Sequence, residues 1–209
     1  MAEDWEKFWE EDTFLKRVVG FMRHHYFSDV VISHLGNIKN KLILEAGCGT
    51  CESLVKISKK AKKVVGVDLS KQVLLIAKTN FQKHNIPSNK YSLVLGDIQD
   101  MKFKDNTYDL VFNAGVIEHF NDNKPIEEMI RVTKQGGKVV ILVPSSYSPY
   151  YFYYVATKFL HLSNLYPWEE HTFYSFKSMR KQLDQLGINY KTKLSFRSFF
   201  VYLLVYIRK

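Results

Sequence analysis

Two glycines, two aspartates and a cysteine pair are the residues whose spacing suggests chemistry. The run Leu42-Ile-Leu-Glu-Ala-Gly-Cys-Gly-Thr-Cys51 passes from apolar residues through Glu45 into alternating Gly47 and Gly49. Glycine at such a point lets the backbone approach a ligand and adopt angles closed to other residues. About twenty residues on, Val64-Val-Gly-Val-Asp68 ends in an acid, which there can accept both hydrogen bonds of a ribose diol. Leu93-Val-Leu-Gly-Asp97 ends in another, which could meet an adenine amino group. In an open parallel sheet the carboxyl ends of all three runs face one crevice.

The spacing also discriminates among nucleotides. A dinucleotide fingerprint requires a third glycine at position 52, where this sequence has Glu52. A carboxylate beside a diphosphate is repulsive, which disfavours a nicotinamide dinucleotide. No Gly-Lys-Ser/Thr follows to cradle a triphosphate. Cys48-Gly-Thr-Cys51 at a strand-to-helix junction matches the thioredoxin arrangement as well, but a redox site has no need of Asp68 or Asp97. With no second cysteine pair, a metal site is not expected.

The elements that must position these residues alternate. Short β-branched runs fall near 42–46, 63–67, 91–95, 108–113 and 138–143. Helical patterns separate the first three and fill 123–134, and Gly136-Gly137 predicts the turn into the fifth. This alternation predicts an α/β, Rossmann-like fold with helices on both faces of a parallel sheet. Before it, residues 3–36 place Trp5, Phe8, Trp9, Phe14, Leu15, Val18, Val19 and Met22 at helical spacing. After Pro144 comes a stretch rich in Tyr and Phe. It is followed by a helical pattern over 175–186, with Gly187 as its C-cap, and two strand-like runs near 189–196 and 199–207. No apolar run reaches the ~18 residues of a membrane span.

Taken in order, Glu45-Ala-Gly-Cys-Gly-Thr, Val67-Asp68, Gly96-Asp97, Tyr108-Asp-Leu-Val-Phe112, Val116-Ile-Glu-His-Phe120 and Arg131-Val-Thr-Lys-Gln-Gly-Gly-Lys-Val139 resemble the motifs of class I S-adenosylmethionine-dependent methyltransferases. The likeness is to the small-molecule branch typified by ubiquinone-biosynthesis methyltransferases, and it covers roughly residues 40 to 144. It implies a seven-stranded, mostly parallel sheet with an antiparallel last strand, forming one methyltransferase domain over 1–209. Within it, 1–38 would be a helical lid, 40–144 the cofactor-binding core, 145–174 an aromatic insert over the substrate, and 175–209 a terminal helix and strand pair. The implied cofactor is S-adenosylmethionine. By matching position, Glu45 belongs to the cofactor motif, and backbone at Ala46, Gly47 and Gly49 faces the methionine part. Asp68 meets the ribose, Leu69 and Ile98 the adenine faces, and Asp97 the adenine amino group. Backbone at Asn113 and Ala114 lies near the methionine, and Arg23 holds its carboxylate. The sequence departs from the family at Cys51, where glycine is usual.

Methyl transfer from a sulfonium is an in-line displacement, so the protein must chiefly align donor and acceptor and exclude water. A hydroxyl acceptor benefits from a general base. His119, after the fourth strand, and His171, in Pro167-Trp-Glu-Glu-His171, are the candidates, and Glu118 could orient a loop or substrate. The insert Pro149-Tyr-Tyr-Phe-Tyr-Tyr-Val155 suits a lipid, quinone or aromatic acceptor, or an interfacial helix meeting anionic headgroups. Thirty basic against 21 acidic side chains leave +9, which favours anionic partners. RNA or tRNA methylation is one alternative, although no RNA-binding module is visible. The Asn113-Ala-Gly-Val116 exit also lacks the Pro-Pro pattern that grips a flipped base. A non-catalytic, cofactor-binding regulatory protein is the other. Two cysteines and an acidic start point to a reducing, cytoplasmic setting.

Overall fold

The computed structural model describes residues 27–160, 172–196 and 201–209. The expected helices up to residue 26, with Trp5, Phe8, Trp9 and Arg23, lie outside the described residues, as does His171. The strands are β1 (Leu42–Ala46), β2 (Lys63–Asp68), β3 (Tyr91–Leu95), β4 (Tyr108–Ala114), β5 (Thr133–Pro144), β6 (Tyr190–Ser195) and β7 (Tyr202–Arg208). They form one sheet in the order β3-β2-β1-β4-β5-β7-β6. The pairs from β3 to β5 are parallel, and β7 alone runs antiparallel, between β5 and β6. The expected Rossmann-like sheet with an antiparallel last strand is therefore present.

Among the described residues six α-helices flank the sheet: α1 (Ser28–Leu35), α2 (Glu52–Ser58), α3 (Lys71–Lys83), α4 (Lys124–Val132), α5 (Pro149–Phe159) and α6 (Phe176–Asp184). Alternation along the strands divides the core in two. Ile43, Val64, Leu110, Phe112, Val140 and Leu142 pack with α1, α2 and α3 through Val31, Leu54, Val73 and Phe81. Leu44, Val65, Val111, Val139 and Ile141 pack with α4 and α6 through Ile126, Met129, Met179 and Leu183. Central strands covered on both faces must be apolar at every position, which is why they read as continuous β-branched runs. Local signals set the helix starts. Ser70 accepts the Val73 amide at the head of α3, and Ser175 with Ser178 forms a capping box at α6. His34 anchors α1 to the far strands, bonding Ser195 Oγ at 3.0 Å and Tyr206 Oη at 2.9 Å. Among the described residues no helix is long and apolar enough to cross a membrane.

Two boundaries differ from the sequence reading. α6 ends at Asp184 with Gln185 at its C-cap, short of the expected Gly187. Gly136-Gly137 does not precede the fifth strand but lies inside β5, which starts at Thr133. Register against β4 slips between Tyr108 and Leu110, and Gly136, at φ +74°, absorbs the slip. A positive φ is what glycine supplies at a bulge as readily as at a turn, and sequence does not separate the two.

Arg131, at the end of α4, holds the β3–β4 connection. Its guanidinium donates to Glu128 Oε1 at 2.6 Å and Oε2 at 2.8 Å, to Asp105, and to the carbonyls of Met101 and Phe103 at 2.8 and 2.9 Å. Glu128 also accepts the Met101 amide at 2.8 Å. The Arg131 bonds hold the Glu128 carboxyl below its usual range against partial burial. At Asp109 burial pushes upward, but the Lys134 ammonium and the Leu42 amide outweigh it and leave the carboxyl lowered. Lowered carboxyl values stabilise the fold above the usual carboxylate range, and that stability is lost as pH falls through the folded values, below about pH 4. Glu128→Gln is expected to shallow the acid limb of the urea midpoint against pH. An unchanged limb would show that Glu128 carries none of the acid sensitivity.

Candidate functional site

Three successive amides leave β1 and turn onto the end of β2. Gly47 N and Cys48 N both donate to Val67 O, at 2.9 and 3.0 Å, and Gly49 N donates to Asp68 Oδ2 at 2.9 Å. Ser70 N donates to Asp68 Oδ1 at 3.0 Å, so both carboxylate oxygens are oriented by backbone. Gly47 sits at φ +72°, and a Cβ there would lie 2.7 Å from Val116 Cγ2, so only glycine fits. Gly49, at φ +49°, is different: a Cβ there would meet nothing within 4 Å. The loop is thus closed by protein at Gly47 and open beside Asp68 at Gly49. At the next strand end, Gly96 N donates to Asp68 O at 3.0 Å, which brings Asp97 alongside. Asp97 Oδ1 accepts the Gln99 amide at 2.8 Å, and Leu69 and Asp97 are half-buried. Ile98 is already buried in the α4–α6 core, 2 % exposed.

The exit of β4 is clamped to the same loop. Asn113 is fully buried. Its Nδ2 donates to Ala46 O at 2.5 Å, and its Oδ1 accepts the Ile117 amide at 3.2 Å. Glu45, Ala46, Asn113 and Ala114 are all buried at these neighbouring strand ends. Ile117–His119 form a single 3₁₀ turn whose His119 N donates to Val116 O at 3.1 Å. His119 is half-exposed there, while Glu118 is buried, with Oε1 3.5 Å from where a Gly115 Cβ would be. Burial, with Glu118 adding to it, pushes the nearby Tyr174 phenol up to about 12.

The cysteines are packing groups in this arrangement. Both are free thiols and buried. A Cβ on Gly66 would stand 2.7 Å from Cys48 Sγ and 2.9 Å from Cys51 Sγ, so the sulfurs fill the space that residue 66 leaves. Burial pushes both thiols up, and at Cys48 the Cys51 thiol adds to the effect. The thiolate is the reactive form, so this environment suppresses dithiol chemistry and weighs against the redox alternative. Cys51 caps α2 in the left-handed conformation, φ +60° and ψ +28°, a geometry natural to the glycine it replaces. No group of three potential metal ligands occurs among the described residues.

A wall of aromatic rings stands beside the β4 exit. Phe173 lies 6.1, 5.1 and 5.2 Å, centroid to centroid, from Tyr150, Tyr151 and Tyr154 of α5. Its neighbour Thr172 donates its amide to Glu118 O at 3.4 Å, and Tyr174 N donates to Pro144 O at 2.9 Å. The sequence reading missed Phe173, Ser70, Val116 and the Asn113 clamp. Only Ser70 left a signal, as a cap spaced two residues after Asp68.

Comparison with known proteins places the site in context. The family profile described as "Methyltransferase domain" matches residues 44–141. The demethylmenaquinone methyltransferase of Oceanobacillus iheyensis is 29% identical over 150 residues, covering 67% of this chain and 62% of that protein. The ajmaline N-methyltransferase of Rauvolfia serpentina is 33% identical over 106 residues, 50% of this chain and 36% of that one. The chain therefore spans about six-tenths of the length of the first of these relatives. In fold, the magnesium protoporphyrin IX methyltransferase of Synechocystis PCC 6803 with bound SAH superposes at a TM-score of 0.70 and 18% identity, covering 99% of this chain and 94% of that one.

The two loop glycines should respond differently to a methyl group. Gly47→Ala meets both the left-handed penalty and Val116, and is expected to cost about 2–4 kcal/mol by urea denaturation. Gly49→Ala meets only the first, about 1 kcal/mol. Equal losses would mean that Val116 does not close the loop.

Proposed function

We infer that this chain, whose residues 44–141 match the methyltransferase-domain profile, is a class I S-adenosylmethionine-dependent methyltransferase and methylates a small, apolar acceptor. The cofactor supplies a methyl group on a sulfonium, already electrophilic. The protein's task is then alignment and exclusion of water. One observation carries the reading. The turn at Gly49 is open to a ligand where its amide fixes the Asp68 carboxylate, at the carboxyl ends of parallel strands. An adenosine fits that donor and acceptor set. Asp68 would bond the ribose and Asp97 the adenine amino group, with Leu69 against the ring; Ile98, its side chain buried in the α4–α6 core, would offer only its backbone there. Backbone from Glu45 to Gly49 and at Asn113 and Ala114 would border the methionine part. Arg23, from outside the described residues, would pair with its carboxylate.

Tyr150, Tyr151, Tyr154 and Phe173 support an apolar acceptor, since their rings gather next to Thr172, whose amide bonds the carbonyl of Glu118, the neighbour of His119. The relatives compared above are named for a demethylmenaquinone and for ajmaline, which agrees with that class. His119 would remove the acceptor's proton as the methyl group is transferred, with His171 the second candidate. We read the chain as one cytoplasmic methyltransferase unit with residues 145–174 over the acceptor. Peripheral contact with an anionic membrane belongs to the same reading, because an apolar acceptor partitions into lipid.

Incubation with methyl-labelled S-adenosylmethionine and a cell extract tests it: label is expected in the organic phase. Label in RNA instead would establish the nucleic-acid alternative, and cofactor binding without transfer the regulatory one. His119→Ala is expected to lower turnover about 10²–10⁴-fold, with S-adenosylhomocysteine affinity by calorimetry unchanged. Full turnover in that variant would remove His119 from the role. Asp68→Ala is expected to weaken S-adenosylhomocysteine binding about ten-fold or more, because it removes an acceptor and frees the Gly49 amide.

A further inference from the structure

α5 is an apolar helix turned inside out. Of its eleven residues, Pro149 to Phe159, the only buried one is Thr157, whose hydroxyl donates to Tyr154 O at 2.9 Å. Tyr150, Tyr151 and Tyr154 are half-buried around Phe173. The opposite side carries Phe152, Val155 and Phe159 at i, i+3 and i+7, with Tyr153 and Leu160 beside them. Phe152 is 67 % exposed, Phe159 83 % and Leu160 60 %. Scattered exposed apolar residues need no explanation. Here, however, six of the ten large apolar side chains exposed among the described residues fall between Tyr147 and Leu160. A contiguous patch of that kind marks a binding surface.

The charge around it identifies the partner. Lys177, Arg180 and Lys181 are exposed along one side of α6. That helix is joined to the head of α5 through the Tyr147 and Phe176 rings, 5.8 Å apart, with the Arg180 guanidinium 6.0 Å from the Phe176 centroid. Lys158 adds a cation over the Tyr154 ring at 5.2 Å. Asp184 is the one acid on α5 and α6, and it accepts a bond from Tyr190 Oη at 2.6 Å. Glu169 and Glu170 belong to the intervening segment, outside the described residues. Aromatic and aliphatic side chains flanked by cations are the composition of a helix that lies in a lipid–water interface. Such a helix sinks about 5–10 Å into the headgroup boundary. A second copy of this chain is a poorer occupant, because a two-fold contact would bring like charges together.

We propose that the outer face of α5, through Phe152, Val155, Phe159 and Leu160, docks on an anionic lipid surface, with Lys158 and the cations of α6 on the headgroups. This proposal rests on the reading of the site as one for an apolar acceptor. The helix whose inner rings line the acceptor approach has its outer rings in lipid, so the acceptor moves from bilayer to site without crossing water.

Vesicle co-sedimentation with about one third phosphatidylglycerol, against pure phosphatidylcholine, tests it. The wild-type protein is expected to bind the anionic vesicles and to release as salt is raised. Phe152→Glu combined with Phe159→Glu is expected to bind about ten-fold or more weakly. It should keep the wild-type melting temperature, oligomeric state and S-adenosylhomocysteine affinity. Lys177→Glu with Lys181→Glu is expected to lose the preference for phosphatidylglycerol. Vesicle binding that is absent, or equal in all variants, overturns the proposal. So does a double Phe variant that melts many degrees lower, which would assign the face to another segment of this chain. Dissociation of a dimer in that variant would assign it to a second copy, with the same consequence. Calorimetry separates the two readings: failure to bind vesicles with S-adenosylhomocysteine affinity intact removes only the membrane surface, whereas loss of that affinity in the wild type removes the functional reading itself.

Discussion

The site depends on a backbone constraint: the amides of Gly47, Cys48 and Gly49 are all committed to the end of β2. Two share the Val67 carbonyl and the third fixes Asp68. With its donors turned toward β2, the loop presents its other side, including the open Gly49 position, to the crevice. The same bonds set the direction of the Asp68 carboxylate, so the loop and the acid are one unit although about twenty residues separate them in sequence. A hydrogen bond to a charged acceptor contributes about 1.5–3 kcal/mol, enough to hold such a loop in a single shape.

The surrounding packing keeps that unit in place. Asn113 spans from Ala46 O to the Ile117 amide and so ties β1 to the turn that carries His119. Val116 closes over Gly47, while the two cysteine sulfurs close over Gly66. Each contact needs a residue with no side chain opposite a residue with a full one. Cys51 is the irregular member: it holds the left-handed conformation that glycine would adopt without strain, at a cost of about 1–2 kcal/mol. Its buried sulfur offsets that cost by filling the gap above Gly66, which explains how a side chain is accommodated at a left-handed position.

Much of this was legible in the sequence because parallel strands covered on both faces allow few substitutions. β1 to β4 fall where the β-branched runs lie, with Asp68 the last residue of β2 and Asp97 two residues past the end of β3. The start of β5 was not legible, because Gly136 supplies a positive φ equally well to a turn and to a bulge within a strand. Nor was the Asn113 clamp, whose partners lie four and sixty-seven residues away and are brought together only by the sheet. The aromatic insert was legible as composition alone. Tyr and Phe fill six of the eleven positions of α5, five of them consecutive, and such a run carries no periodicity, so nothing in the string separates Tyr154, turned toward Phe173, from Phe159, turned to solvent.

The position of β7 bears on how the chain comes together as it is synthesised. β7 is inserted between β5 and β6, and β6 pairs with β7 alone. Until residues 202–208 have left the ribosome, β6 has no neighbour, and one flank of the apolar strand Val139–Val143 stands uncovered. A nascent chain therefore carries five aligned strands and a sticky edge until β7 emerges. Unpaired edges of this kind are where strangers pair and chaperones engage. Insertion of β7 closes that interval, and Lys209 then reaches back to bond Gly136 and Gly137 in the β5 bulge at 2.7 and 3.2 Å.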